Sequence, residues 1–454
     1  MAAKRKLVVI GGVAAGMSAA AKARRIDPDL EITVFEQGEW ISYSACGLPY
    51  FVGDLVPEPA RLVARTVADF AKQRIEVKLR HHVQAIDAER HTIQVVDRSS
   101  ADAKPFEVAY DALVVATGAR PVLPNVNGQD LAGVFNLYVM TDALAMRAYI
   151  AEHKPRRAVV VGGGYIGLEM AENLQRLGLE IAVVQRPPQL FSNIDADIAE
   201  LVGTELERQQ VDLSLCESVL EACVGSDGQV EHVHTSRGDL DADLVLFSIG
   251  IRPNVELALG CGVQLGDTGA IAVDEHQRTN RPSIYAAGDC AEHYHRIKAR
   301  PAWIPLGTNA NKQGRIAGEN AAGGHARFKG IVGTAITRAF ELEIGRTGLT
   351  EKEAQAEGLE YAAATVDYTD IAGYYPDAEP LRVKLLAERG TGRLLGAQAA
   401  GRGGVAKRID VAATALHAGM TVDDLAWLDL GYAPPFNSVW DPLLVAAGIL
   451  LKDV

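Results

Sequence analysis

The chain has 454 residues, a net charge of −13, 48% apolar and 23% charged residues; that is an ordinary globular composition with room for about three domains of roughly 150 residues. Its acidity argues against nucleic acid or an anionic membrane as partners. The five cysteines (Cys46, Cys216, Cys223, Cys261 and Cys290) form no C-x-x-C pair, so no disulfide framework and no metal site is expected.

The first element is a β-branched run, Leu7 to Ile10, followed by Gly11-Gly12-Val13-Ala14-Ala15-Gly16 and a helical stretch. The apolar span Leu7 to Ala21 contains three glycines and falls short of the ~20 residues a spanning helix needs. It lacks a convincing cleavage site, so it reads as a nucleotide-binding turn, and the cytoplasm is the expected location. The turn lets backbone approach a pyrophosphate at a helix N-terminus. A second strand, Leu30 to Glu36, places Glu36 20 residues after Gly16, where a carboxylate accepts ribose hydroxyls. Gly11, Gly12, Ala15, Gly16, Glu36 and the following Gln37 are therefore candidate cofactor contacts. Val13 stands where a full G-x-G-x-x-G has its middle glycine.

Ser42-Tyr43-Ser44-Ala45-Cys46-Gly47-Leu48-Pro49-Tyr50 follows. Pro49 fits the first turn of a helix, so Cys46 is expected at a helix N-terminus, with its thiol acidity raised by the helix dipole. Ser44 is a further candidate cofactor contact. A thiolate here could exchange electrons with a bound flavin; the competing expectation is an inert packing cysteine.

A buried-strand pattern then ends in Thr117-Gly118-Ala119-Arg120-Pro121. The opening motif recurs as Ala158 to Gly167, with the complete fingerprint Gly162-x-Gly164-x-x-Gly167 enclosing Tyr165 and Ile166. Its second strand ends in Gln185-Arg186 instead of an acid, which favours a ribose 2′-phosphate and hence NADPH, or tolerance of NADH as well. A second Gly-x-Arg-Pro, Gly250 to Pro253, suggests chain crossovers between two nucleotide domains. Ser283 to Asp289 reads as a buried strand delivering Gly288 and Asp289, the latter to a flavin ribityl hydroxyl. Beyond about residue 330 no glycine fingerprint recurs and the texture is α+β.

The expected fold class is thus α/β: two Rossmann-like FAD- and NAD(P)-binding domains plus a C-terminal α+β domain, which the resemblance described next marks as a C-terminal α+β dimerisation domain. The expected boundaries are 1–115 with 250–328 for FAD, 116–249 for NAD(P)H, and 329–454 for the C-terminal domain.

With these residues in view, the chain resembles the single-cysteine pyridine nucleotide-disulfide oxidoreductases, and among them the coenzyme A disulfide reductases. The segments that carry the resemblance are Ser42 to Tyr50, Trp303 to Gly318, Gly373 to Pro376, and Gly431 to Phe436 with Trp440-Asp441-Pro442. The resemblance implies a homodimer with an active site shared across subunits, and a small-molecule disulfide as substrate. It implies that Tyr374 and Tyr432 reach the partner's Cys46 site, with Tyr375 as an alternative to Tyr374. It implies coenzyme A contacts at Ser18, Lys22, Arg25, Ser42 and Arg74, with Asn311 or Lys312 contributed from the partner side. Two positions depart from the pattern: Ala45 replaces a common Asn, and Trp440, which could stack on an adenine, stands near where some members have Lys. Rival readings are persulfide or polysulfide reduction, an NADH oxidase or peroxidase cycling through Cys46 sulfenic acid, and a redox-responsive binding module. Gly11 occupies the place of the oxidase histidine, which weakens the second rival.

Overall fold

The computed structural model describes residues 4–100, 102–226 and 228–454. Its first five-stranded sheet runs, in spatial order, 284–286, 112–115, 6–10, 31–35 and 75–78, with every pairing parallel. Leu7, Val8, Val9, Leu113 and Val114 are almost fully buried, as central parallel strands covered on both faces require. The helix Ala14–Ile26 packs across the helix Gly307–Ala321. Their backbones touch: a Cβ at Gly314 would lie 2.2 Å from the Ala15 carbonyl oxygen, and one at Gly318 would lie 2.1 Å from that of Ala19.

The second five-stranded sheet, also parallel, orders 212–215, 180–185, 157–161, 244–247 and 134–135. The internal echo in the sequence extends to strand register. Lys6 pairs with Glu31 in the first sheet and Arg157 with Glu180 in the second, and each ladder continues for five pairs. The two Gly-x-Arg-Pro segments meet as an antiparallel ladder, Ala119–Pro121 against Ile251–Pro253. Thr117 and Asn254 lock its base, the Thr117 hydroxyl donating to the Asn254 carbonyl at 2.7 Å and the Asn254 amide donating to the Thr117 carbonyl at 2.9 Å.

The C-terminal sheet is antiparallel, ordered 335–339, 342–348, 394–401, 380–388 and 361–369. The helices Val405–Ala418 and Pro442–Leu450 cover it. This domain is bolted to the second sheet's unit through a buried ionic hub. Lys384, 5% exposed, lies 3.2 Å from Asp195 and 3.0 Å from Asp197, and also pairs with Glu351. Gln398 adds two hydrogen bonds to Asp195, accepting from its N–H at 2.7 Å and donating to its carboxylate at 2.6 Å.

Candidate active site

The first glycine turn is built to bring backbone close. Gly11 has φ +103°, and a Cβ there would meet the Ala116 carbonyl oxygen at 2.1 Å; a Cβ at Gly16 would meet that of Gly11 at 1.8 Å. Glu36 stands at the end of the second strand and folds back on this turn, accepting the Gly12 and Gly38 N–H groups at 2.7 Å each. Burial raises its carboxyl above the usual range. Ser42 closes the same corner, its N–H donating to the Gly12 carbonyl at 2.8 Å. Gln37 is exposed and meets His82 at 3.2 Å.

Asp289 is the clearest sign that this cradle takes a polar ligand. Its Oδ2 accepts the Tyr138 hydroxyl at 3.1 Å, while its buried Oδ1 has no partner among the described residues. A buried carboxylate oxygen left unpaired is costly, so the group suits a hydroxyl-rich ligand such as a ribityl chain. Gly288 (φ +84°) leaves no room for a side chain, since a Cβ would sit 2.8 Å from that of Ala15. Gln313 fixes the peptide by accepting the Gly288 N–H at 2.9 Å, and Trp303 donates to the Asp289 carbonyl at 2.8 Å. These residues fit FAD. Sequence reasoning did not single out Tyr138, a lone Tyr with no local signal, and held Gln313 only as one residue of the Trp303 to Gly318 segment.

The second turn has the same construction. A Cβ at Gly162 (φ +112°) would meet the Ser248 carbonyl oxygen at 2.3 Å and one at Gly167 that of Gly162 at 1.9 Å, whereas Gly164 faces open space, as a pyrophosphate approach needs. Tyr165 and Ile166 begin the helix Tyr165–Arg176. Gln185 occupies the position that Glu36 holds in the first unit, accepting the Gly163 N–H at 3.0 Å and donating to the Gln189 carbonyl at 3.1 Å. Arg186 is exposed. Gly118 and Gly250 adopt positive φ in the crossovers with free space around them. Arg120 is engaged in the ladder, ion-paired with Glu256 at 2.5 Å and bonded to Asn254 at 2.8 Å.

Cys46 lies in a single 3-10 turn, Ala45–Gly47, capped by Ser44 and running into the five-residue helix Leu48–Val52 with Pro49 in its first turn. The expected depression of the thiol is corrected here. Burial of the sulfur end, followed by the carboxylates of Glu169 and Asp289, pushes the Cys46 thiol up, although the residue as a whole is exposed. A helix of five residues, begun after the cysteine, is too weak a dipole to offset them. Glu169 was not anticipated. It projects from the second-turn helix, accepts the Thr337 hydroxyl at 2.9 Å, and is pushed by burial up to about 7. All five cysteines are free thiols, with Cys261 and Cys290 buried.

Tyr374 and Tyr432 come together on the C-terminal domain, their hydroxyls 3.2 Å apart. Tyr374 is 75% exposed and Tyr432 45%, amid exposed Phe436 and Trp440. Their mutual hydrogen bond raises the Tyr374 phenol.

The candidate substrate residues divide. Ser18 donates to Asn311 at 2.7 Å within one chain. This contact follows from the packing of helix Ala14–Ile26 against helix Gly307–Ala321. Lys22 is paired with Glu319 at 2.8 Å, and Arg74 donates to the Pro28 carbonyl at 2.8 Å. Arg25 and Lys312 are exposed.

Two glycine-turn dinucleotide cradles, a thiol between them and an antiparallel C-terminal domain define a two-nucleotide thiol oxidoreductase. The profile of the pyridine nucleotide-disulphide oxidoreductase family matches residues 5–314 and that of its dimerisation domain matches residues 334–443. The chain belongs to this family, which implies FAD and NAD(P)H as cofactors. It is 40% identical over 448 residues to the NAD(P)H coenzyme A polysulfide/persulfide reductase of Pyrococcus horikoshii, covering 98% of each chain. It is 32% identical over 454 residues to the coenzyme A disulfide reductase of Staphylococcus haemolyticus, covering 99% of this chain and 100% of the relative. Among solved structures, a NAD-dependent persulfide reductase from A. fulgidus superposes with TM-score 0.94 at 40% identity, over 99% of this chain and 83% of that one. No described helix is long and apolar enough to cross a membrane.

Proposed function

We propose that the chain is a homodimeric FAD-dependent NAD(P)H:disulfide oxidoreductase that reduces coenzyme A disulfide through a Cys46–coenzyme A mixed disulfide. The observation that carries this reading is the free thiol of Cys46, close enough to Asp289 to feel its carboxylate and joined to no other cysteine. Such a thiol needs a small-molecule sulfur partner.

Each turnover consumes one NAD(P)H and one proton, cleaves one coenzyme A disulfide and releases two coenzyme A thiols. Bound FAD supplies the relay of the electron pair from nicotinamide to sulfur. The pair breaks the Cys46 mixed disulfide, leaving Cys46 as thiolate and coenzyme A free. Cys46 then attacks the incoming disulfide; one S–S bond forms on Cys46 as the other breaks, expelling the second thiolate. Tyr374 and Tyr432 of the partner subunit donate hydrogen bonds to the departing thiolate. Ser18, Asn311, Ser42, Lys22, Arg25, Arg74 and Lys312 surround the coenzyme A path, and Trp440 offers its indole to the adenine. Gln185 and Arg186 favour NADPH, since a neutral strand end does not repel a 2′-phosphate.

The intact mass of purified protein with and without reductant tests the reading, together with NADPH oxidation by coenzyme A disulfide. We expect a reducible adduct of coenzyme A mass on Cys46 and loss of turnover in Cys46→Ser; full activity in that variant would refute the mechanism. A second reading, reduction of coenzyme A persulfide or polysulfide by the same thiol, is favoured by the names of the two relatives at 40% identity. A higher kcat/KM for the persulfide than for the disulfide would select it.

A further inference from the structure

The two tyrosines are carried by two irregular loops far apart in sequence. One loop, residues 370–379, follows the strand Tyr361–Thr369; the other, residues 427–441, precedes the helix Pro442–Leu450. The sole contact that their phenols make with each other is one long hydrogen bond at the surface. Behind that bond lies Arg408, the largest fully buried side chain among the described residues, at 1% exposure. It projects from the helix Val405–Ala418, an element with no nucleotide, thiol or substrate residue of its own.

The guanidinium of Arg408 reaches both loops. Its Nη2 donates to the Asp370 carbonyl at 2.7 Å in the first loop and to Asn437 Oδ1 at 2.8 Å in the second. Its Nε donates to Asp441 Oδ2 at 3.2 Å, and Asp441, itself 1% exposed, caps the helix Pro442–Leu450 by accepting the Leu443 N–H at 2.9 Å. Nη1 returns to the Gly404 carbonyl at 3.2 Å. Each loop then carries the constraint to its tyrosine. Asp370 accepts the Glu379 N–H at 2.9 Å and so closes the Tyr374 loop. Asn437 donates to the Gly431 carbonyl at 3.3 Å, beside Tyr432. The loops are stitched directly by Ala372 N–H to the Pro434 carbonyl at 3.2 Å and by the Ser438 hydroxyl to the Ile371 carbonyl at 3.1 Å.

Any buried guanidinium must find partners for its donors. This one distributes a planar five-donor fork over two backbone segments and a helix cap, a pattern suited to holding geometry. We infer that Arg408 is the positioning residue for the Tyr374–Tyr432 pair, setting the separation and aim of the two phenols that the partner subunit's thiol chemistry uses. The inference rests on the role proposed above for those tyrosines.

The test separates the two halves of turnover in the FAD-loaded dimer. Flavin reduction by NADPH does not use the tyrosines; reoxidation of the reduced enzyme by coenzyme A disulfide does. For Arg408→Lys we expect the first rate within about twofold of wild type and the second at least about tenfold lower, with dimer mass by ultracentrifugation and FAD content unchanged. Adding Tyr432→Phe to Arg408→Lys should cause no further loss beyond Tyr432→Phe alone. If Arg408→Lys does not assemble, Asn437→Ala, which removes the link to the second loop and leaves the ion pair, should give the same split. Equal loss in both half-reactions, or wild-type reoxidation, would overturn the inference. Tyr374→Phe and Tyr432→Phe measured alongside tell the two claims apart: full reoxidation in both refutes the tyrosine role itself, whereas impaired tyrosine variants beside an unimpaired Arg408→Lys refute only the positioning.

Discussion

Replacing Glu169 by Gln should alter the pH dependence of stability by a predictable amount. An ordinary glutamate has a pKa of 4.5, and burial pushes Glu169 to about 7. The folded state therefore keeps a proton on this carboxyl across a window where the unfolded chain has released it. A group shifted upward in this way stabilises fully below pH 4.5, and its contribution is lost as pH rises through 7. At ~1.4 kcal/mol per pH unit the whole effect is about 3 kcal/mol, of which roughly 2.5 kcal/mol falls between pH 5 and pH 8. Gln is isosteric, keeps an oxygen for the Thr337 hydroxyl and does not titrate. Chemical denaturation of wild type and Glu169→Gln at a series of pH values should show the variant gaining on wild type by about that amount from pH 5 to pH 8. A difference independent of pH would refute the assignment of a neutral buried carboxyl. The same substitution removes a charge that raises the Cys46 thiol, so alkylation of Cys46 by iodoacetamide at pH 7.5 should be faster in the variant.

Asp289→Ala removes the unpaired buried oxygen and should lower the FAD content of purified protein, read from the ratio of flavin to protein absorbance. Gln185→Glu places a carboxylate at the second strand end; the ratio of kcat/KM for NADPH over NADH should fall by about tenfold or more, as expected for a carboxylate facing a 2′-phosphate, and Arg186→Ala should move it the same way. Lys384→Met leaves Asp195, Asp197 and Glu351 without their shared cation. Removing one member of a buried ionic cluster costs about 3–5 kcal/mol, so the melting temperature should drop well beyond the change expected from a surface lysine such as Lys72.

The parts of this fold written in local pattern were legible. The repeated strand–glycine–helix units predicted two parallel sheets, because glycine spacing and β-branched runs are short-range signals, and the paired Gly-x-Arg-Pro segments marked the crossovers. Cys46 was found by its neighbours in sequence. What escaped was what only the third dimension assembles. Glu169 is one polar position on an amphipathic helix, and nothing in the sequence says that packing against Thr337 will bury it. Nor does the sequence reveal that Glu169 and Asp289 crowd the thiol, which is why the expected helix-dipole effect on Cys46 had the wrong sign. The hydrogen bond between Ser18 and Asn311, 293 residues apart in sequence, was equally hidden, because it depends on two glycines letting two helices touch. Arg408 carried no signal, since an arginine on a helix is ordinarily a solvated one.

The ladder between residues 119–121 and 251–253 has an engineering consequence. The chain enters and leaves the second sheet at a single clasp, with Thr117 and Asn254 bonded to one another in both directions. Everything between them forms a cassette whose two ends are already joined at one doorway. Exchanging that cassette for one with a different strand end in place of Gln185-Arg186 is a route to a different electron donor that leaves the tyrosine loops untouched, provided that the Lys384 hub is rebuilt to match and that Tyr138 and Glu169, which face Asp289 and Cys46 from inside the cassette, are kept.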